Sequence, residues 1–168
     1  MLQIPANQFV AQIVTDGSGH ADGFAGGSCA IFIPDRTPIY ACSAETHSST
    51  ERGEFSGLLR GLAILTDVME WTPRQISDAP YLGKWPVKWI TDRESLALAV
   101  ARNDAGVPFY SRRSTPDLWA SFEFFEKFLD VHALFEDRCS TPEMKVADTL
   151  ASDARQTLKN FYLSHFAL

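Results

Sequence analysis

The chain has few cysteines, no long apolar run and no excess of positive charge, and each shortage removes a class of protein. Cys29, Cys42 and Cys139 are odd in number and far apart. They form no Cys-x-x-Cys pair, so neither a zinc site nor a disulfide framework is expected, and a reducing cytosol is the natural compartment. No apolar stretch approaches the roughly 18–20 residues that cross a bilayer, so no membrane association is expected. Met1-Leu2-Gln3-Ile4-Pro5 has no basic start and no apolar segment, which gives no signal-peptide pattern. The net charge is −6, against the basic surface usual in proteins that grip phosphates without selectivity. A group of acids that holds metal ions would also lower that sum. Internal repeats, low-complexity stretches and linkers are absent. The 168 residues suit one domain spanning 1–168, with 45% hydrophobic residues available for its core.

Apolar periodicity gives an α/β pattern. Gln8–Val14 reads as a strand leading into Asp16. Gly, Ser and Asp then dominate up to Gly27, a turn composition. Ser28–Ile33 and Pro38–Ala44 read as an antiparallel hairpin joined through Pro34 and Asp35. Ser48 and Glu51 have capping-box spacing, and Phe55, Leu58, Leu59, Leu62 and Leu65 form one helical face that stops near Pro73. Pro73, Pro80, Gly83 and Pro86 mark a loop before a strand over Val87–Thr91. A short helix over Glu94–Arg102, an irregular stretch with Arg112 and Arg113, an aromatic helix over Asp117–Leu129, a strand over Val131–Phe135 and a helix opened by Pro142 follow. The expected order is βββαβααβα.

The acids at the ends of these elements carry the chemistry. Asp16 ends the first strand, Glu54 lies in the first turns of the first helix, Asp92 ends the fourth strand, and Asp148 lies early in the last helix. Each has a plain alternative: Asp16 a turn former, Glu54 a helix-dipole partner, Asp92 a cap, Asp148 a solvated residue with Asp153 equally available. If the first and fourth strands are neighbours, Asp16 and Asp92 sit side by side and a crossing helix brings Glu54 to them. Clustered carboxylates repel unless cations neutralise them, and hard divalent ions favour such oxygen ligands.

Several stretches match one family. Ile13-Val14-Thr15-Asp16-Gly17-Ser18 with Gly26-Gly27-Ser28-Cys29-Ala30-Ile31 resembles the opening hairpin of type 1 ribonucleases H. Ser49-Thr50-Glu51-Arg52-Gly53-Glu54 resembles the helix with the second acid. Val87-Lys88-Trp89-Ile90-Thr91-Asp92 resembles the strand with the third, and Ala147-Asp148-Thr149-Leu150-Ala151 the helix with the fourth. Asp117-Leu118-Trp119 is similar to a tripeptide of the family's substrate-binding region. The resemblance implies an RNase H-like fold, a five-stranded mixed sheet flanked by helices. It implies endonucleolytic cleavage of the RNA strand of RNA–DNA hybrids by a monomer, leaving 5′-phosphate and 3′-hydroxyl ends.

The cofactor implied is a pair of magnesium or manganese ions. Asp16 would bridge both, Glu54 and Asp92 would hold one with the scissile phosphate, and Asp148 would hold the other beside the attacking water. Ser49, Thr50 and Trp119 would contact the hybrid, with Arg112 and Arg113 (and Arg102) as the candidates for a basic grip. Three departures stand out. The family's loop histidine before the last helix is missing, and Arg138 falls near its place. Arg93 follows the third acid where a small polar residue is usual. The basic region is thin, diluted by Asp104 and Asp117. His132, on a strand face, reads as structural. Two other readings stay open: another nuclease of the superfamily, although no Phe-Asp-x-Glu-Thr signature is present, and a non-catalytic binding module of the same fold.

Overall fold

In the computed structural model, which describes residues 9–101 and 115–166, the chain forms one sheet from β1 (Ala11–Gly19), β2 (Phe24–Phe32), β3 (Ile39–Thr46), β4 (Trp85–Thr91) and β5 (Leu129–Phe135). The helices are α1 (Thr50–Val68), α2 (Pro73–Leu82), α3 (Glu94–Val100), α4 (Pro116–Phe125) and α5 (Pro142–Phe166). The strand order is β3-β2-β1-β4-β5. β1, β2 and β3 pair antiparallel, whereas β4 pairs parallel with both β1 and β5. The mixed sheet with flanking helices agrees with expectation.

Side chains alternate between the faces of a strand, and β1 shows what each face meets. Ile13 joins the larger core with Phe55, Leu58, Leu62 and Leu65 of α1. Val14 joins Ala30, Ile90, Met144 and Ala147 on the α5 side. The two long helices therefore cover opposite faces. On the α1 side, Phe55 is fully buried with its ring centroid 4.2 Å from Trp119 and 5.7 Å from Phe122. Trp71 stacks on Trp85 at 4.2 Å and meets Phe128 edge-on. The aromatic residues of α4 thus face the core, as their spacing suggests, apart from the exposed Phe124.

The structure departs from the sequence reading in four places. First, β2 begins at Phe24, so Gly26 and Gly27 are strand residues, not part of a turn. They are small because helices lie directly on them: a Cβ on Gly27 would stand 2.0 Å from the Gly53 carbonyl oxygen, and one on Gly26 would stand 2.1 Å from that of Ala151. Second, the stretch after Trp71 is helical, and the order becomes βββααβααβα. The Thr72 hydroxyl accepts from the Gln75 amide at 3.2 Å while the Gln75 side chain accepts from the Thr72 amide at 2.9 Å. This capping box precedes a proline in the first turn, and Pro80 comes only near the end of the helix, where one forgone hydrogen bond matters little.

Third, the cap of α1 is Ser49, whose hydroxyl accepts from the Arg52 amide at 3.1 Å. Ser48 turns instead to Glu45, at 3.3 Å. Arg52 binds Glu45 through Nε at 2.9 Å and Asp117 through both terminal nitrogens at 2.9 and 2.6 Å. Fourth, α4 stops at Phe125 and β5 starts at Leu129. The Trp85 amide donates to the Phe128 carbonyl and Trp85 registers with Leu129, which draws that segment into the sheet.

Candidate active site

Two neighbouring parallel strands build the site where the ladder between them ends. The last pair in the β1–β4 ladder is Val14 with Ile90. Asp16 and Asp92 each lie two residues beyond that pair, so register alone sets them side by side. Asp92 directly follows the last residue of β4, whereas Asp16, expected to end the first strand, lies inside β1, which continues to Gly19 in its pairing with β2. From this point the chain continues to β2 on one side and to β5 on the other. Such a switch point is the usual ligand crevice of open α/β sheets. Close packing of α1 delivers the third acid: Gly17 lets the helix backbone approach until a Cβ there would be 2.7 Å from the Glu54 nitrogen. Carboxylate oxygens of Asp16, Glu54 and Asp92 lie within 4.8 Å of one another.

Glu54 is held by groups that the sequence reading passed over. Thr15 and Thr91 both donate their hydroxyls to Glu54 Oε1, at 2.5 and 2.7 Å. Trp89 Nε1 donates to Thr15 at 2.8 Å, and the Arg93 amide donates to Thr91 at 3.1 Å. Oε1 is thereby committed, while Oε2 is buried with no hydrogen-bond partner among the described residues. Both oxygens of Asp16 and Oδ1 of Asp92 share that condition. A signal for these threonines does exist in the sequence. Each directly precedes an acid, as Thr15-Asp16 and Thr91-Asp92, and strand alternation turns it towards α1 as its neighbour turns away.

Burial and mutual repulsion show in the proton affinities. Burial first, then the charges of Glu54 and Asp92, push the Asp16 carboxyl up to about 8. Burial raises Glu54 to about 7, partly offset by its two hydroxyl donors. Both groups bind protons more tightly folded than unfolded. Their contribution to stability is therefore complete below about pH 4 and lost as pH rises through about 7–8. Without divalent ions, the melting temperature should fall between about pH 5.5 and about pH 8.5, and Asp16→Asn should flatten that fall. Thermal denaturation in EDTA across that range measures it; equal slopes for the two proteins would contradict the assignment.

The remaining candidates divide. Asp148 stands near enough for its charge to act on Asp16 but is not among the converging residues; it is ion-paired with Arg138. Arg93 makes no ion pair with another described residue, although its charge favours ionised Glu54. Ser49 is exposed and Thr50 half-buried at the start of α1. Trp119, expected to touch substrate, is 3% exposed. Its indole packs on Phe55, which makes it a core residue with almost no surface to offer. His132 is ion-paired with Asp130 at 2.9 Å, away from the acids. Arg102, Arg112 and Arg113 lie outside the described residues. No helix among the described residues is long and apolar enough to cross a membrane.

No protein-family model and no curated protein matches the sequence. Solved structures do match. LC11 RNase H1, isolated from compost by a metagenomic approach and crystallised with an RNA/DNA hybrid, aligns with a TM-score of 0.66 at 16% identity, over 89% of this chain and 99% of its own. The N-terminal RNase H domain of a Mycobacterium tuberculosis protein gives 0.62 at 18% identity, over 89% and 96%. RNase H1 of the halophilic archaeon Halobacterium salinarum gives 0.60 at 16%, over 88% and 98%.

The fold is therefore RNase H-like, in architecture and in strand order.

Proposed function

We propose that this fold carries, over residues 1–168, a single catalytic domain that hydrolyses the RNA strand of RNA–DNA hybrids with the help of two divalent cations, magnesium or manganese. One observation supports it above the rest. Carboxylate oxygens of Asp16, Glu54 and Asp92 converge, and both Asp16 oxygens, Glu54 Oε2 and Asp92 Oδ1 are buried with no hydrogen-bond partner among the described residues. Unpaired buried acids are unfavourable, and a divalent ion relieves both the burial and the repulsion. The all-oxygen donor set fits hard ions such as magnesium.

In this reading Asp16 would help to hold both ions. Glu54 contributes Oε2, held in place by the hydroxyls on Oε1, and Asp92 completes the first position. Asp148 serves the second. Divalent ions held there would supply activation of a water and stabilisation of the leaving oxygen of a phosphodiester. The protein's own residues orient that chemistry. Thr15, Thr91 and Trp89 fix the Glu54 carboxylate. Ser49 and Thr50 lie at the exposed start of α1, beside Gly19. Their short side chains suit contacts to 2′-hydroxyls in a shallow minor groove, which distinguish RNA from DNA. Ser49 Oγ accepts from the Arg52 amide, so its own proton remains available to a substrate oxygen. Arg112 and Arg113 remain the proposed basic grip. The free state of Cys29, Cys42 and Cys139 is compatible with a reducing cytosol and a monomer.

The net charge of −6 favours the competing reading of a non-catalytic module, against which the converging acids stand. Product chemistry separates them. A hybrid labelled in its RNA strand should yield internal fragments with 3′-hydroxyl and 5′-phosphate ends, and EDTA should stop their formation. Fragments with cyclic phosphate ends, or undiminished cleavage in EDTA, would contradict the metal-dependent mechanism.

A further inference from the structure

Arg138 pairs with Asp148 at the edge of the acid cluster. It lies in the 136–141 loop between β5 and α5, which is tied to the end of β4 by the Glu136 amide donating to the Thr91 carbonyl at 3.0 Å. A turn closed by the Ser140 amide on the Asp137 carbonyl, with Cys139 in the left-handed region at φ 56°, carries Arg138 at its tip. The guanidinium donates to Asp148 Oδ1, and its charge also acts on Asp16 and Asp92.

The two halves of the cluster are thus in different states. Both Asp16 oxygens, Glu54 Oε2 and Asp92 Oδ1 are buried and have no hydrogen-bond partner among the described residues. Asp148, on α5, already has a cation. That cation cannot be discharged by pH, because arginine keeps its proton; it can only move. Its side chain is 55% exposed, which leaves it room to do so.

We propose that Arg138 is an internal cation that occupies the second metal position in the metal-free chain, so that the two positions fill in sequence. The first ion settles on Asp16, Glu54 and Asp92 without displacing a protein cation. The second binds only as the guanidinium leaves Asp148. The displaced guanidinium then stands free beside the cluster, where it can meet a phosphate oxygen as a fork of fixed donors. This rests on the two-metal reading above. It adds that the affinity of the second position is set by competition with a side chain of the same protein.

Manganese binding to the full chain, followed by calorimetry and by the electron paramagnetic resonance signal of free Mn2+, tests this without reference to cleavage. The wild-type protein should take up two ions in separate steps. Arg138→Ala should tighten the second step by about tenfold and the first by much less. Asp148→Asn should abolish the second step, and adding Arg138→Ala to it should restore nothing. An unchanged or weakened second step in Arg138→Ala overturns the proposal while leaving the metal site itself intact. Absence of any binding by the wild-type protein, or an unchanged first step in Asp16→Asn, removes the metal-site reading and this inference with it.

Discussion

Asp16→Asn is expected to lower hybrid cleavage by about a thousandfold or more while raising the melting temperature of the metal-free protein. The two effects have one origin. Asp16 is 1% exposed, both its oxygens lack hydrogen-bond partners among the described residues, and its carboxyl is pushed up to about 8. In the absence of cations that arrangement opposes folding at neutral pH. In the proposed two-metal reading the same charge would serve to hold the cations. The amide keeps the shape, removes the charge and so exchanges activity for stability. A general folding defect would lower both quantities together. Steady-state cleavage in magnesium and thermal melting in EDTA, measured on one preparation, tell these apart. A variant that is less stable without metal, or that retains more than about a tenth of the activity, contradicts the role given to Asp16.

Gly27→Val is expected to destabilise the protein by about 3 kcal/mol or more, at the upper end of what overpacking costs. The obstacle is backbone on both sides: the new Cβ would meet the Gly53 carbonyl at 2.0 Å. Neither β2 nor α1 can yield without moving the other, and α1 carries Glu54. Denaturant unfolding measures the loss. Residual folded protein should also show weaker metal binding, since the helix that delivers Glu54 must stand off from the sheet. A variant as stable as wild type would mean that the contact between β2 and α1 is looser than described.

That contact also marks the limit of what the sequence discloses. The positions of Asp16, Glu54 and Asp92 are legible because each lies where an apolar pattern of strand or helix begins or ends, and the pattern is local. Gly26 and Gly27 are not legible in the same way. Composition cannot separate a glycine that bends the chain from one pressed beneath a helix far along the sequence. The helix over Pro73–Leu82 is hidden for the opposite reason: two prolines suggest a loop, although one lies in the first turn and the other near the end. Thr15 and Thr91 look like ordinary strand residues until α1 is laid across them and both hydroxyls reach Glu54. Trp119 matches a substrate-side motif, yet burial against Phe55 decides its place. The pairing of Arg138 with Asp148 depends on a loop whose path no local pattern specifies.

Cleavage of four labelled substrates under one condition tests the central claim most directly: an RNA–DNA hybrid, duplex DNA, duplex RNA and single-stranded RNA of one sequence, each with magnesium and with EDTA. Cutting confined to the RNA strand of the hybrid, dependent on magnesium and lost in Asp16→Asn, is the predicted result. Cutting of all four substrates alike, or of none while magnesium is bound, would contradict it.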